Sequence, residues 1–222
     1  KVLIHARGCT AAKLIRIAQQ QDIDVVLVQS DPDMESMAAD QLRAQDTLVC
    51  IGGNTPDESY LNAKSVLNVA QMQGVDSLHP GIGFLSENAD FADMVRNRGI
   101  NFVGPPVQSM ETMGNKSNAI NTSIRLNVPV VPGSHGIMTD VEKAAVVAEE
   151  IGYPILIKAV HGGGGKGIQL VNGPEEFEQL FFRVGVEARS AFGNGDVYLE
   201  KYVTSLRHIE AQLLRDTHGN TH

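Results

Sequence analysis

Short apolar runs alternate with amphipathic stretches along the first half of the chain. Apolar runs of roughly 4–8 residues are typical of buried strands, and apolar residues repeated every three or four positions are typical of helices. Helices are predicted behind a cap at Thr10, over 60–73, and over 87–98 behind a cap at Ser86. Strands that alternate with helices indicate a parallel, doubly wound α/β sheet. The predicted strands are 2–5, 24–30, 47–51, 76–79 and 100–103.

The pattern changes in the second half of the chain. A polar helical stretch covers 110–126, and a capping box at Thr139 and Glu142 predicts the start of a further helix. Strands joined by short loops are typical of antiparallel hairpins, so we expect an α+β unit here, with its boundary between residues 104 and 132. The predicted elements are strands at 154–160, 168–171, 197–203 and 207–214 and a helix at 175–189.

Composition and charge exclude several classes of protein. The 222 residues are 42% hydrophobic, as in one or two globular domains. Acidic residues outnumber basic ones by 26 to 18, which argues against a dedicated nucleic-acid binder but leaves room for a local basic pocket. The apolar runs are shorter than the ~20 residues of a membrane span, so no membrane partner is expected. The two cysteines are too few for a disulfide framework, Cys50 is expected in the core, and a cytoplasmic location is expected.

A glycine-rich loop between two predicted strands is the strongest local signal. Residues 161–167 read His-Gly-Gly-Gly-Gly-Lys-Gly. Successive glycines let backbone N–H groups approach phosphate oxygens, and Lys166 adds a positive charge. The loop is neither a Walker A loop nor a dinucleotide fingerprint, because a strand rather than a helix follows it. A phosphate-binding loop is favoured over a simple mobile hairpin turn.

Four further places in the sequence carry candidate chemistry. Lys158 interrupts an apolar strand, where an ammonium needs a compensating anion; a bound phosphate can supply it, and an edge-strand lysine is the alternative. Lys116 opens a helix and by itself is typical of a solvated lysine. The strand end at 200–203 can present backbone groups to a purine edge, although an ordinary strand end has the same sequence. His208 and Glu210 share a strand face and are interpreted as a polar site wall or a partly exposed sheet face, not as a metal pair.

Together these stretches resemble the amino-terminal half of a biotin carboxylase, the ATP-dependent component of the biotin-dependent carboxylases. They occur in the family's order along nearly the whole chain. Jointly these stretches are highly specific, and they include His-Pro-Gly-Ile-Gly at 79–83. The matching stretches are 79–88, 102–105, 113–116, 130–134, 152–154, 157–159, the glycine loop, 191–193, 200–203 and 207–210.

The resemblance implies an α/β fold with two domains. A Rossmann-like pre-ATP-grasp domain with a parallel sheet is expected over 1–113. The first part of an ATP-grasp α+β domain is expected over 114–222, incomplete, with a lid subdomain over about 132–203. The implied ATP-binding residues are Lys116 and Lys158 for the phosphates, Gly162, Gly163, Gly164, Gly165, Lys166 and Gly167 for the lid, Glu200, Lys201 and Val203 around the adenine, and His208 beside the nucleotide.

The activity that the resemblance implies is that of an ATP-dependent ligase. Bicarbonate is activated by ATP to carboxyphosphate, and biotin is then carboxylated at N1′. ATP, Mg²⁺ and biotin on a carrier are the implied cofactors, with the Mg²⁺ ligands expected outside this chain. The implied partners are a biotin carboxyl carrier domain or protein, a carboxyltransferase component and a second copy in a homodimer, whereas no nucleic acid is expected.

Several positions depart from the family's usual pattern. In the first turn Ala6, Cys9 and Thr10 stand where Asn, Glu and Ile are usual. Elsewhere Ile82 replaces Tyr, Asn115 replaces Asp, and Lys166 replaces Arg. No catalytic residue and no metal ligand is identified within the span, so the fragment alone is expected to be inactive. The alternatives are another ATP-grasp ligase similar to carbamoyl-phosphate synthetase and a non-catalytic nucleotide-binding paralogue.

Overall fold

A computed structural model of the chain describes residues 1–160 and 167–222, with the side chains of Lys116, Ser117 and Phe192 left out. Contacts divide the chain into two compact units, Lys1–Ala119 and Ile120–His222. Each unit has its own sheet and its own hydrophobic core. The predicted domain boundary after residue 113 stays a prediction. None of the helices in the described ranges is long and apolar enough to cross a bilayer.

The first unit is built on a five-stranded, fully parallel sheet, which confirms the predicted α/β class. Its strand order is β3-β2-β1-β4-β5. Strand β2 is buried along its whole length, as expected for an inner strand of a parallel sheet that is covered on both faces. The strands are β1 Val2–Ile4, β2 Val25–Gln29, β3 Thr47–Cys50, β4 Ser77–His79 and β5 Asn101–Phe102, and the helices are α1 Gly8–Gln20, α2 Ala63–Met72, α3 Ala89–Arg96 and α4 Val107–Gly114.

Two predicted helix caps in this unit are wrong. Helix α1 begins at Gly8 with Arg7 as its N-cap, so Thr10 already lies inside the first turn. Helix α3 is capped by Asn88, whose Oδ1 accepts the N–H of Phe91 at 2.8 Å, while Ser86 belongs to the preceding turn. An Asn side chain reaches the free N–H groups of a first turn as well as Ser does, and the backbone path decides between them.

Cys50 was expected in the core and is exposed instead. It lies at the end of β3, an edge strand that pairs only with β2 in this sheet. At the end of an edge strand fewer neighbouring residues shield a side chain from solvent. The apolar run alone does not show that β3 is an edge strand.

The second unit contains a three-stranded antiparallel sheet with the order β7-β6-β8. Helices α6 and α7 pack on one face, where Ile155, Val171 and Leu199 lie in one core with Phe177 and Val184. Asp140, not Thr139, caps α6 and accepts the N–H groups of Glu142 and Lys143. The elements are α5 Lys116–Arg125, α6 Val141–Ile151, β6 Ile155–Ala159, β7 Ile168–Val171, α7 Pro174–Phe192 and β8 Val197–Lys201, and α5 begins before the division between the units.

The helix predicted over 110–126 is broken into α4 and α5 at Asn115. Asn115 has an extended backbone, with φ −94° and ψ 116°, and its Oδ1 accepts the N–H of Asn118 at 3.1 Å. The side chain therefore caps the new helix that starts at Lys116.

The strand predicted over 207–214 is not formed. Residues 202–214 are irregular and exposed, and only a short hairpin follows, closed by the bridge between Arg215 and Thr221. A strand needs a neighbouring backbone to pair with. Among the described residues of this segment only Leu214 pairs, exchanging two backbone hydrogen bonds with His222 in the short hairpin, so the alternating pattern over 207–213 does not produce a strand.

Candidate functional site

One face of the three-stranded sheet in the second unit is free of its helices. The buried residues Ile155, Ile157 and Ala159 of β6 face the helical side. Because side chains alternate along a strand, Leu156 and Lys158 point to the other face, which we call the open face. Register places two rows of side chains across the open face, Ile168–Lys158–Tyr198 and Leu170–Leu156–Glu200.

The open face combines an apolar surface with one pair of opposite charges. Ile168 and Leu170 are 41% and 38% exposed on the edge strand β7. The ammonium of Lys158 contacts the carboxylate of Glu200 on the neighbouring strand. Both side chains are mostly buried, with 23% and 20% of their surface exposed. The compensating anion that the sequence required for Lys158 is thus Glu200 in the structure, and a phosphate is not needed to explain the buried ammonium.

The phenol of Tyr198 lies on the same face, and its surroundings change its pKa. Burial and, to a lesser degree, the charge of Glu200 raise the pKa of Tyr198 to about 12. Its hydroxyl is therefore a neutral hydrogen-bonding group at any physiological pH.

The end of β8 is fixed by three sets of hydrogen bonds. The N–H of Lys201 donates to the carbonyl of Pro132 at 2.7 Å, and the N–H of Tyr202 donates to the carbonyl of Pro154 at 3.1 Å. The ammonium of Lys201 donates to the carbonyls of Gly152 and Tyr153 at 2.7 and 3.0 Å. Lys201 therefore points away from the open face, on the side of the strand opposite to Glu200.

The glycine-rich loop is described only at its end. Gly162, Gly163, Gly164, Gly165 and Lys166 lie outside the described residues. Gly167 is buried with φ 70°, a left-handed conformation that favours glycine. Its carbonyl accepts the N–H of Ala159 at 2.8 Å, so the hairpin closes next to Lys158.

The remaining predicted site residues lie at the start of α5 and on the segment that follows β8. Lys116 begins α5, within the first unit, and its side chain is not among those described. His208 lies on the irregular segment, where its Nε2 is 2.9 Å from a carboxylate oxygen of Glu210 and both side chains are about 80% exposed. Val203 is 41% exposed, and its N–H has no partner among the described residues.

The apolar residues of the open face were missed by the reasoning from sequence. Hydrophobic residues on strands usually belong to the core, so the sequence does not single out Leu156, Ile168, Leu170 or Tyr198. The signal was nevertheless present, since the period of two that places Lys158 on one face also places Leu156 there.

Comparison with known proteins identifies two families along the chain. Residues 1–110 match "Biotin carboxylase, N-terminal domain", and residues 115–221 match "Carbamoyl-phosphate synthase L chain, ATP binding domain". The chain is 46% identical over 220 residues to the chloroplastic biotin carboxylase 2 of Populus trichocarpa, covering 99% of this chain and 41% of that protein. It is 43% identical over 221 residues to biotin carboxylase 1 of Bacillus subtilis, covering all of this chain and 48% of that protein.

A solved structure agrees with this result. The biotin carboxylase of Campylobacter jejuni, crystallised as a β,γ-ATP complex, superimposes with a TM-score of 0.87 at 37% identity over 99% of this chain and 49% of that one. The present chain thus spans about half the length of the relatives it matches. The match of both families in order, with this identity and this fold, confirms the resemblance seen in the sequence: the chain belongs to the biotin carboxylase family.

Proposed function

We propose that this chain supplies part of the ATP site of a biotin carboxylase that uses ATP and bicarbonate to carboxylate biotin. The observation that carries the proposal is the open face, where a mostly buried ammonium stands beside an apolar surface at the base of a glycine-rich loop. An apolar surface suits a purine ring, and an ammonium next to glycine backbone suits phosphate oxygens.

In the proposed site, Lys158 exchanges its carboxylate partner for a phosphate oxygen. A triphosphate carries several negative charges, so it attracts the ammonium more strongly than the single charge of Glu200 does. This local positive charge is needed because the whole chain carries a net charge of −8, which repels polyanions. Gly162, Gly163, Gly164, Gly165 and Lys166 are proposed to cover the phosphates, and Lys116 to contribute a second ammonium.

The base is proposed to lie against Leu156 and Ile168, with its edge at the end of β8. The N–H of Val203 is available to donate to a ring nitrogen of adenine. His208 is proposed to lie beside the nucleotide once it is bound.

The chemistry beyond nucleotide binding is proposed from the family. Among the described residues there is no group of three or more His, Cys, Asp or Glu side chains that could hold a metal, and we derive no step through Mg²⁺. That its ligands lie outside this chain is proposed from the resemblance alone. A biotin carrier, a carboxyltransferase component, a second copy and a cytoplasmic location belong to the same proposal. One structural relative, from Hydrogenobacter thermophilus, is described as a biotin carboxylase domain dimer with MgADP and bicarbonate.

The proposal is tested by measuring ATP hydrolysis with the complete enzyme. We expect hydrolysis that depends on bicarbonate and is stimulated by free biotin. ATP turnover driven by a different acid, with biotin inert, would favour a ligase similar to carbamoyl-phosphate synthetase, whose ATP-binding domain family matches residues 115–221. Nucleotide binding without any turnover would indicate a non-catalytic paralogue, and the absence of ATP binding would refute all three assignments.

A further inference from the structure

The backbone at the end of β8 is held from two sides. The N–H of Lys201 donates to Pro132 and the N–H of Tyr202 donates to Pro154, at 2.7 and 3.1 Å. Pro132 precedes the segment that bridges the outer edge of β8 at Gly133, whereas Pro154 precedes β6 on the other side. The next N–H along the chain, that of Val203, is the first without a partner among the described residues.

The side chain of Lys201 makes a third attachment. Its ammonium donates to the carbonyls of Gly152 and Tyr153, which follow the last turn of α6. Carbonyl groups at the end of a helix lack partners within the helix and carry partial negative charge, so an ammonium is well suited to this place. This charge therefore serves the protein backbone and is not directed at the open face.

We propose that Lys201 is a positioning residue for base recognition. Its ammonium locks the end of β8 to the turn between α6 and β6 and thereby holds the N–H of Val203 in the direction in which adenine is read. The inference rests on the proposed ATP site and adds to it a division of labour, in which Lys158 meets the phosphates and Lys201 acts only through the backbone.

Base recognition gives the inference a specific readout. Adenine has an unprotonated ring nitrogen, N1, that accepts a hydrogen bond from an N–H group, whereas guanine carries a proton at the same position. A correctly held Val203 N–H thus favours ATP over GTP. A displaced one loses that preference, although the phosphates are still bound by other groups.

The test compares variants of the complete enzyme. Lys201→Met keeps the length of the side chain and loses both charge-assisted hydrogen bonds. We expect its KM for ATP to rise about tenfold, with kcat changed by less than about twofold, and its preference for ATP over GTP to fall by a similar factor. Lys201→Arg, which can still donate to both carbonyls, should recover most of the loss.

Lys143→Met is the matched control. Lys143 lies on α6, its side chain is 81% exposed, and it only approaches Asp140 at 3.9 Å. We expect unchanged KM, kcat and nucleotide preference for this variant. A Lys201→Met enzyme that behaves like the control, in a protein whose wild type binds ATP, would overturn the inference and leave the proposed function intact. A wild type that binds no ATP would instead refute the proposed function.

Lysine acetylation of the wild-type enzyme tests the same point if the variants do not fold. We expect acetic anhydride to modify Lys201 much more slowly than Lys143, both with and without ATP, because the ammonium is already engaged. Modification of Lys201 at the rate of Lys143 without ATP, with protection only when ATP is added, would show direct contact with the nucleotide and overturn the inference.

Discussion

The contact between Lys158 and Glu200 links the electrostatics of the sheet to the proposed binding of a nucleotide. Each side chain is about one fifth exposed, so removing one partner leaves the other in a poorly solvated place. For a nucleotide, however, the two changes differ. In the proposed site the ammonium is the group that attracts phosphate, and the carboxylate is the group that competes with the phosphate for it.

We expect Lys158→Gln in the complete enzyme to weaken ATP binding by about 1–3 kcal/mol, the scale of a charge-assisted hydrogen bond. Isothermal titration calorimetry measures this directly. Glu200→Gln is the comparison variant: it breaks the same ion pair but keeps the ammonium and removes the competing charge, so its ATP affinity should not fall as that of Lys158→Gln does. Equal ATP affinities for wild type and Lys158→Gln would show that Lys158 only neutralises Glu200.

At this scale the sequence predicted which charge is buried but not what neutralises it. Lys158 was recognised from its apolar neighbours. Its partner lies 42 residues further along the chain, and the contact depends on the register between β6 and β8. Hydrophobic alternation predicts faces of a strand, and it does not determine which residues stand opposite each other on two strands.

Among the elements, the segment from Pro132 to Met138 covers the outer edge of β8. Ser134 donates its N–H to the carbonyl of Leu199 at 3.0 Å, and its Oγ accepts the N–H of Leu199 at 3.1 Å. A Cβ added at Gly133 would lie 2.5 Å from the same carbonyl oxygen. The segment can follow the strand this closely only because residue 133 has no side chain.

Gly133→Ala should therefore push the segment away from β8 and destabilise the second unit by about 1–3 kcal/mol, as overpacking usually does. Because Pro132 also holds the N–H of Lys201, the KM for ATP should rise as well. Gly136→Ala is the control, since the nearest atom to its added Cβ would be 3.8 Å away. Thermal unfolding and steady-state kinetics of the two variants check the difference, and equal behaviour would contradict the close fit at Gly133.

The sequence predicted the boundaries of strands and helices well where neighbouring residues determine them, and poorly where pairing with a distant segment determines them. The strand predicted at 168–171 has the predicted bounds, and β6 differs by one residue at each end. The predicted strand at 207–214 failed because pairing is not a local property. The predicted cap at Ser86 failed because Asn88 stands two residues further on and the backbone path selects it, whereas α1 begins at Gly8 behind Arg7 without any side-chain cap, so Thr10 lies inside the helix.

For the whole molecule, the dependence of stability on pH has an identifiable source in the first unit. His5 is fully buried at the end of β1, with its ring among Tyr60, Phe84 and Phe91. Its Nε2 lies 2.9 Å from the carbonyl oxygen of Tyr60. Burial lowers the pKa of His5 to about 4, and the hydrogen bond to Tyr60 opposes this only in part.

Between pH 6.5 and 4 the unfolded chain binds a proton at His5 and the folded one does not, so acid favours unfolding. The stabilisation is complete above pH 6.5 and is lost as the pH falls toward 4. We expect His5 to account for about 2 kcal/mol of the difference in unfolding free energy between pH 7 and pH 4.5. Denaturant titrations of wild type and His5→Phe measure this contribution. A pH dependence that is the same in both proteins would exclude it.

The exchange of partners at Lys158 also bears on the end of the proposed reaction cycle. When the product nucleotide leaves, the carboxylate of Glu200 on the adjacent strand can replace the phosphate at the ammonium of Lys158, so water is not needed to solvate this charge. Glu200 then assists the release of the product, although ATP has to displace the same carboxylate when it binds. We expect the tightness of binding and the speed of turnover to be balanced against each other at this one carboxylate.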